Sequence, residues 1–305
     1  MLETADTFIK YRRTQEEALL GTNPRSGQLS GLLTIEFNLT ELCNRVCSFC
    51  PRVDASIYPN LNLSASPALV KRVASEIQRV GFHAKMSFSG FGEPLLHPEF
   101  DDVIRRIRKS VPDIVLETNT NGDRLTVDRL NKLHTAGLNS VYWNLYDGPD
   151  QVDVASEIIN GSSFPTDKVR LRPHWEGYDL EREAGLILNN RSGALARSKL
   201  ETPLAKGCNY PFYKMLIDWN GNVLCCSNDW LRKKIIGNIL ITPIDEIWFD
   251  PEWHRFRMSL LAGKRDQKPC SGCDIDGCLF GSLSVEQYEI GHHNRVIPTS
   301  AVSDF

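Results

Sequence analysis

The sequence predicts an α/β protein, a partial (β/α)6 barrel followed by a small α+β region. Three observations predict it. From residue 31 to about 175, apolar runs of period two alternate with amphipathic runs of helical period. Near 208 the alternation stops and a hairpin signal appears. The nine cysteines also fall into two groups, at 43, 47 and 50 and at 208, 225, 226, 270, 273 and 278.

The first strand is read in "LLTIEFNLTELC", where Leu33, Ile35 and Phe37 alternate with polar residues before Cys43. "SPALVKRVASEIQRVGF" starts a helix at Ser66 as N-cap and Pro67 at the first position. Leu69, Val70, Val73, Ile77 and Val80 repeat at helical spacing, and Gly81 ends it. "AKMSFSG" is the next strand, and "PEFDDVIRRIRKSVP" a helix with Phe100, Val103, Ile104 and Ile107 on one face. "DIVLETNTNG" reads as a strand and turn. "TVDRLNKLHTAGL" reads as a helix between Thr126 and Gly137. "NSVYWNLYDG" and "KVRLRPHW" are further strands, and "EAGLILNNRSGALA" is expected to hold a sixth, poorly defined unit. Six units fall short of the eight that close a barrel, and in such folds the chemistry sits after the C-terminal ends of strands. Cys43 to Cys50 follow the first strand.

Beyond 208, "FYKMLIDWNGNVLCC" is a hairpin around Asn220-Gly221, and "ITPIDEIWFDPEWHRFRMSLLAG" is helical. The expected organisation is an N-terminal extension over 1–30, the barrel over 31–195, a second domain over 205–280 and a tail over 281–305. The boundary is expected near 185–205.

At 305 residues the chain can bury a sizeable core. A net charge of −3 gives no support to nucleic-acid or phospholipid partners. The N-terminus has early acidic residues and no apolar run, and no stretch approaches a membrane span. A cytoplasmic protein is expected, and there nine cysteines point to metal or redox chemistry.

Cys43, Cys47 and Cys50 admit two metal readings. A zinc site wants four ligands, and no nearby His or Cys offers a fourth. A 4Fe–4S cluster held by three thiolates leaves one iron open. Further along, "FSGFGEP" is a glycine-rich turn at a strand end carrying Glu93. With these residues the chain resembles the radical SAM superfamily. Its CxxxCxΦC loop matches Cys43, Cys47, Phe49 and Cys50, and its GGEP motif matches Gly90, Phe91, Gly92, Glu93 and Pro94, with Phe91 a departure from the usual paired glycines.

The resemblance implies a partial TIM-like barrel, S-adenosylmethionine on the open iron, and a 5′-deoxyadenosyl radical that abstracts a hydrogen atom. It implies that Phe49 lies near the adenine, that Gly90, Phe91 and Gly92 meet the methionyl amino group, and that Glu93 braces that strand end. It implies a ribose turn at Thr120, Asn121 and Gly122. Asn144 stands where relatives often carry a serine, and Arg172 is a candidate for the methionyl carboxylate.

Cys208, Gly221, Cys226, Cys270 and Cys273, with "GNI" and "EIW" among them, resemble the SPASM/twitch extension of the same superfamily. That resemblance implies one auxiliary 4Fe–4S cluster on four thiolates, although the same spacing also builds a zinc knuckle. Cys225 and Cys278 are left over. Either is a spare or alternative ligand, a small buried side chain, or a thiol that returns a hydrogen atom and so inverts a centre. His292 and His293 are expected to be solvated.

The implied function is hydrogen abstraction from a sugar, aminosugar or aminocyclitol, giving dehydrogenation or epimerisation, with an external one-electron reductant such as flavodoxin or ferredoxin. The alternatives are a maturase that crosslinks a ribosomal peptide and a non-catalytic iron–sulfur protein of electron transfer or assembly.

Overall fold

The computed structural model describes residues 28–174, 189–195 and 200–296, together with 14, 18 and 19. Eight strands make one sheet: β1 (Thr34–Phe37), β2 (Lys85–Phe88), β3 (Val115–Thr120), β4 (Ser140–Leu145), β5 (Val169–Pro173), β6 (Lys214–Ile217), β7 (Asn222–Leu224) and β8 (Ile235–Asn238). Their order is β5-β4-β3-β2-β1-β6-β7-β8. The first six run parallel, and β7 and β8 are antiparallel additions.

Four helices link β1 to β5: α1 (Pro67–Arg79), α2 (Phe100–Ser110), α3 (Val127–Ala136) and α4 (Asp150–Asn160). The N-caps of α1 and α3 are the expected ones. Ser66 Oγ accepts from the Leu69 amide at 3.2 Å, and Thr126 Oγ1 from the Arg129 amide at 3.1 Å. Gly137 ends α3 at φ 102°, a left-handed conformation that suits glycine.

The strands largely alternate, and that alternation builds the site. Ile35, Phe37, Met86, Phe88, Leu116 and Val141 join the helices' Leu69, Val73, Ile77, Ile104 and Leu130 in one buried core. Most intervening positions turn the other way and are polar, among them Glu36, Ser87, Ser89, Asn119, Asn144, Arg172 and Lys214, with Leu216 an apolar exception. A parallel sheet normally hides both faces under apolar layers. Here the second face lines a polar cavity, the inside of a partial (β/α)6 barrel.

The expected sixth unit lies partly outside the described residues. Of the expected unit at 183–196, only 189–195 is described, and it forms turns. The sixth strand is β6, which pairs β1 in register Thr34↔Lys214 to Phe37↔Ile217. The hairpin of the second region therefore extends the barrel sheet. Period-two patterning identifies a strand but not its neighbour, and this pairing joins residues 180 apart. Of the expected boundary near 185–205, residues 185–188 and 196–199 lie outside the described residues, as does most of the 1–30 extension.

The second region also holds α5 (Tyr210–Tyr213), α6 (Ile244–Trp248) and α7 (Pro251–Leu261). The expected helix over 241–263 breaks at Asp250, whose carboxylate caps α7 at the Trp253 amide, 2.9 Å away. The stretch read as a tail instead forms α8 (Ser282–Val296). Tyr288 on α8 is fully buried, edge-on to Phe212 and stacked on Phe249. His292 is not solvated as expected: it stacks on His254 with ring centroids 3.7 Å apart, while His293 is exposed. Among the described residues, no helix is long and apolar enough to cross a membrane.

Candidate active site

The loop after β1 brings Cys43, Cys47 and Cys50 to one end of a cavity of about 420 Å³. It is pinned from three sides. Arg45 donates to Asp123 at 2.8 Å and to Asp147 at 2.7 Å, fastening the loop to the ends of β3 and β4. Asn60 exchanges two 2.9 Å hydrogen bonds with the Cys43 backbone. Buried Arg52 donates to the carbonyls of Phe91 and Glu41 and to Asn60 Oδ1. Burial, reinforced by the neighbouring thiols, pushes the Cys47 thiol up to about 11.

The donor set fits an iron–sulfur cluster better than one ion. Three thiols share the cavity without a fourth protein ligand. Among the described residues, no three His, Cys, Asp or Glu side chains are placed to hold a single metal ion. A cationic cluster would compensate three half-buried thiolates and leave an open position toward the cavity.

The Gly90-Phe91-Gly92-Glu93 turn lies beside this loop. Asn38 Oδ1 accepts from the Phe91 and Gly92 amides at 2.9 and 3.2 Å, and the Glu93 amide donates to Leu42 O at 2.8 Å. Gly90 has φ 139°, and a side chain there would press on Asn38. Glu93 accepts from Thr120 Oγ1 at 2.6 Å and from the Asn121 amide at 2.8 Å, so it braces β2 against β3. Burial nonetheless raises its carboxyl to about 7.

Phe49 faces Tyr146 and His174, with ring centroids at 5.7 and 6.3 Å, and these two stack on each other. Asn144 Nδ2 donates to Thr120 O at 3.1 Å, and Asn144 Oδ1 lies 3.0 Å from His174 Nε2. Burial first, then Arg172 and Arg191, press the His174 imidazole down to about 3, so it is neutral at physiological pH.

The wall toward β6 carries Glu36, Lys214, Tyr210, Ser227 and Asn228. Glu36 accepts from Ser89 Oγ at 2.8 Å and pairs with Lys214 Nζ at 3.1 Å. Burial alone would raise its carboxyl. Lys214, Ser89 and Ser227 more than offset that and leave it below the ordinary value, hence ionised at neutral pH.

Behind this wall stand the other cysteines. Cys208, Cys226 and Cys270 pack against Cys225, Trp253, Phe256 and Leu260, with Cys273 buried nearby. Cys226 Sγ accepts from the Asn228 amide and side chain at 3.4 and 3.5 Å. Cys225 is 1 % exposed, just past the end of β7, and packs in the same cluster as Cys208, Cys226 and Cys270. The approach around Cys208 is tight, because a Cβ on Gly277 would sit 2.2 Å from its sulfur.

The residues expected at the cofactor, Phe49, Gly90, Phe91, Gly92, Glu93, Thr120, Asn121, Asn144 and Arg172, all line the cavity. Cys225 and Cys278 do not. Cys278 is exposed, and its thiol donates to Gly207 O at 3.1 Å. Their positions give no support to the expectation that either returns a hydrogen atom inside the cavity. Glu36, Tyr146, His174, Arg191, Tyr210, Lys214, Ser227 and Asn228 were not singled out in the sequence. Glu36 did leave a trace, as a lone carboxylate in the apolar strand "TIEF".

Comparison with known proteins follows this geometry. Residues 37–170 match the family model described as Radical SAM superfamily, and 208–274 match an iron-sulfur cluster-binding domain of the SPASM kind. The chain is 27 % identical over 243 residues to the S-adenosyl-L-methionine-dependent 2-deoxy-scyllo-inosamine dehydrogenase of Niallia circulans, covering 79 % of this chain and 92 % of that one. A shorter match, 32 % over 114 residues, is to the GTP 3′,8-cyclase of Aquifex aeolicus, spanning 36 % and 34 % of the two chains. Among solved structures, BtrN in complex with AdoMet and 2-DOIA is similar with a TM-score of 0.70 and 25 % identity, over 83 % of this chain and 96 % of that one. The anSMEcpe structure with bound AdoMet and a peptide shares the fold at 14 % identity and a TM-score of 0.51, over 88 % and 99 %.

Proposed function

As the chain is a member of the radical SAM superfamily with a SPASM domain behind its barrel, we propose that it oxidises a hydroxyl-bearing carbon of a cyclitol-like or sugar-like metabolite to a ketone. The observation that carries this reading is one cavity wall. Glu36, an ionised proton acceptor, lies there beside Ser227 and Asn228, and Asn228 hydrogen-bonds the sulfur of Cys226. Proton and electron thus have exits on the same side. The Niallia circulans relative, named as a dehydrogenase of 2-deoxy-scyllo-inosamine, supports the same class.

Cys43, Cys47 and Cys50 hold the first cluster, and Cys208, Cys226, Cys270 and Cys273 the auxiliary one. When bound, the clusters and S-adenosylmethionine supply a 5′-deoxyadenosyl radical that takes one hydrogen atom, and an acceptor for one electron. The remaining loss is the hydroxyl proton, which Glu36 accepts, so that two electrons and two protons leave the alcohol. The Gly90–Gly92 backbone, Thr120, Asn121, Asn144 and Arg172 orient S-adenosylmethionine, and Phe49 flanks its adenine. Glu93 holds that strand end in place. Oxidation is favoured over epimerisation because, apart from the three cysteines of the loop, no thiol lines the cavity. The reductant is an external one-electron donor such as flavodoxin or ferredoxin, in the cytoplasm.

Anaerobic incubation of the reconstituted chain with S-adenosylmethionine, dithionite and cyclitols tests the reading. It predicts 5′-deoxyadenosine and ketone in equal amounts. An epimer with no ketone would overturn it.

A further inference from the structure

Given the oxidation proposed above, and resting on it, we infer that Lys214 is a specificity-determining residue: with Glu36 it reads a hydroxyl of the substrate, and the cavity selects an all-hydroxyl cyclitol over its amino analogue.

Among the described residues, two carboxylates line the cavity, Glu36 and Glu93. Glu93 is committed to Thr120 Oγ1, the Asn121 amide and the Leu95 amide. Glu36 is therefore the carboxylate placed to receive a substrate ammonium, and Lys214 already supplies a cation to it, 3.1 Å away. Lys214 is itself held in place, with Nζ 3.4 Å from Tyr210 Oη and 5.2 Å from that ring's centroid. The other charged side chains on the lining among the described residues, Arg45, Arg52, Arg172 and Arg191, are all basic.

An ammonium has three donors and no acceptor lone pair, so it cannot accept from Lys214 and meets a like charge there. A hydroxyl both donates and accepts. It can donate to Glu36, which takes its proton in the oxidation, and accept from Lys214. Ser89, Asn119, Ser227 and Asn228 complete a lining suited to further hydroxyls.

The test is calorimetric binding of scyllo-inositol and of scyllo-inosamine to the full chain, reconstituted anaerobically with S-adenosylmethionine at neutral pH. We expect scyllo-inositol to bind at least roughly ten-fold more tightly. In Lys214→Met that preference collapses or reverses, whereas Lys214→Arg keeps it. Equal or tighter binding of scyllo-inosamine by the unaltered chain overturns the inference whatever the variants do. So does an unchanged ratio in Lys214→Met with a native circular-dichroism spectrum. If neither compound binds, the cyclitol reading falls and this inference with it, a result distinct from a reversed preference.

Discussion

Gly92→Ala probes how the glycine-rich turn is seated on the cysteine loop. An added Cβ would stand 2.0 Å from Thr40 O, 2.8 Å from Thr40 C and 2.9 Å from Leu42 O. These are backbone atoms, so no rotamer change relieves the contact. Moving the closest pair from 2.0 Å to an ordinary 3.4 Å separates the two segments by about 1.4 Å. The 2.8 Å hydrogen bond from the Glu93 amide to Leu42 O does not survive that. Overpacking costs about 1–3 kcal/mol and the lost hydrogen bond about 1 kcal/mol. The expected destabilisation is about 2–4 kcal/mol. Gly148→Ala is the control. Its φ is 124° but its Cβ would meet nothing within 4 Å, so it carries only backbone strain of about 1–2 kcal/mol. Urea unfolding of the apo chains measures both, and equilibrium dialysis measures S-adenosylmethionine binding after reconstitution. Gly92→Ala should lose stability and cofactor affinity, and Gly148→Ala only a little stability. A Gly92→Ala chain within about 0.5 kcal/mol of the parent, with unchanged affinity, would refute the reasoning.

Three further outcomes are expected. Glu36→Gln removes the ionised acceptor at the cavity wall, so ketone formation should fall by roughly a hundred-fold or more while S-adenosylmethionine cleavage persists; product analysis by mass spectrometry separates the two. Iron analysis should give about eight irons per reconstituted chain and about four in a Cys208→Ala, Cys270→Ala, Cys273→Ala variant; about four irons and one zinc in the unaltered chain would contradict the auxiliary-cluster assignment. Glu76 concerns stability. Burial alone would raise its carboxyl, but Arg79, the Ile244 amide and Arg72 more than offset this and hold it below its ordinary 4.5. Its contribution is therefore complete above pH 4.5 and lost as pH falls through the lower folded value. Glu76→Gln should cost about 1–2 kcal/mol at pH 7, shrinking below pH 4.5 in a denaturation series.

What could be read from the sequence was what is local in the chain. Cys43, Cys47, Phe49 and Cys50 sit in one loop, and Gly90 to Pro94 in one turn, so motif spacing together with strand context is informative. The strand alternation exposed the core positions for the same reason. The missing parts are long-range. Lys214 meets Glu36 because β6 pairs β1 across most of the chain. Arg232 donates to Asp218 at 2.5 Å and Tyr58 at 2.9 Å and pairs with Glu41, tying the second region to the cysteine loop. Nothing near position 232 in the sequence points to those partners. Arg257, in "HRFR", looks like a solvated helix position, yet it is fully buried between Trp248, Trp253 and Tyr288 and donates to Pro211 O and Trp248 O. The last helix escaped notice because few large apolar side chains mark it, and Tyr288 alone supplies much of its anchor.

Isotope transfer tests the central claim most directly. The reconstituted chain is incubated anaerobically with S-adenosylmethionine, reductant and a cyclitol deuterated at its hydroxyl-bearing carbons. The account requires deuterium in 5′-deoxyadenosine, matched one-to-one by a ketone that has lost one deuterium and one hydrogen from the labelled alcohol. Undeuterated 5′-deoxyadenosine, or label transfer with no oxidised product, would contradict it.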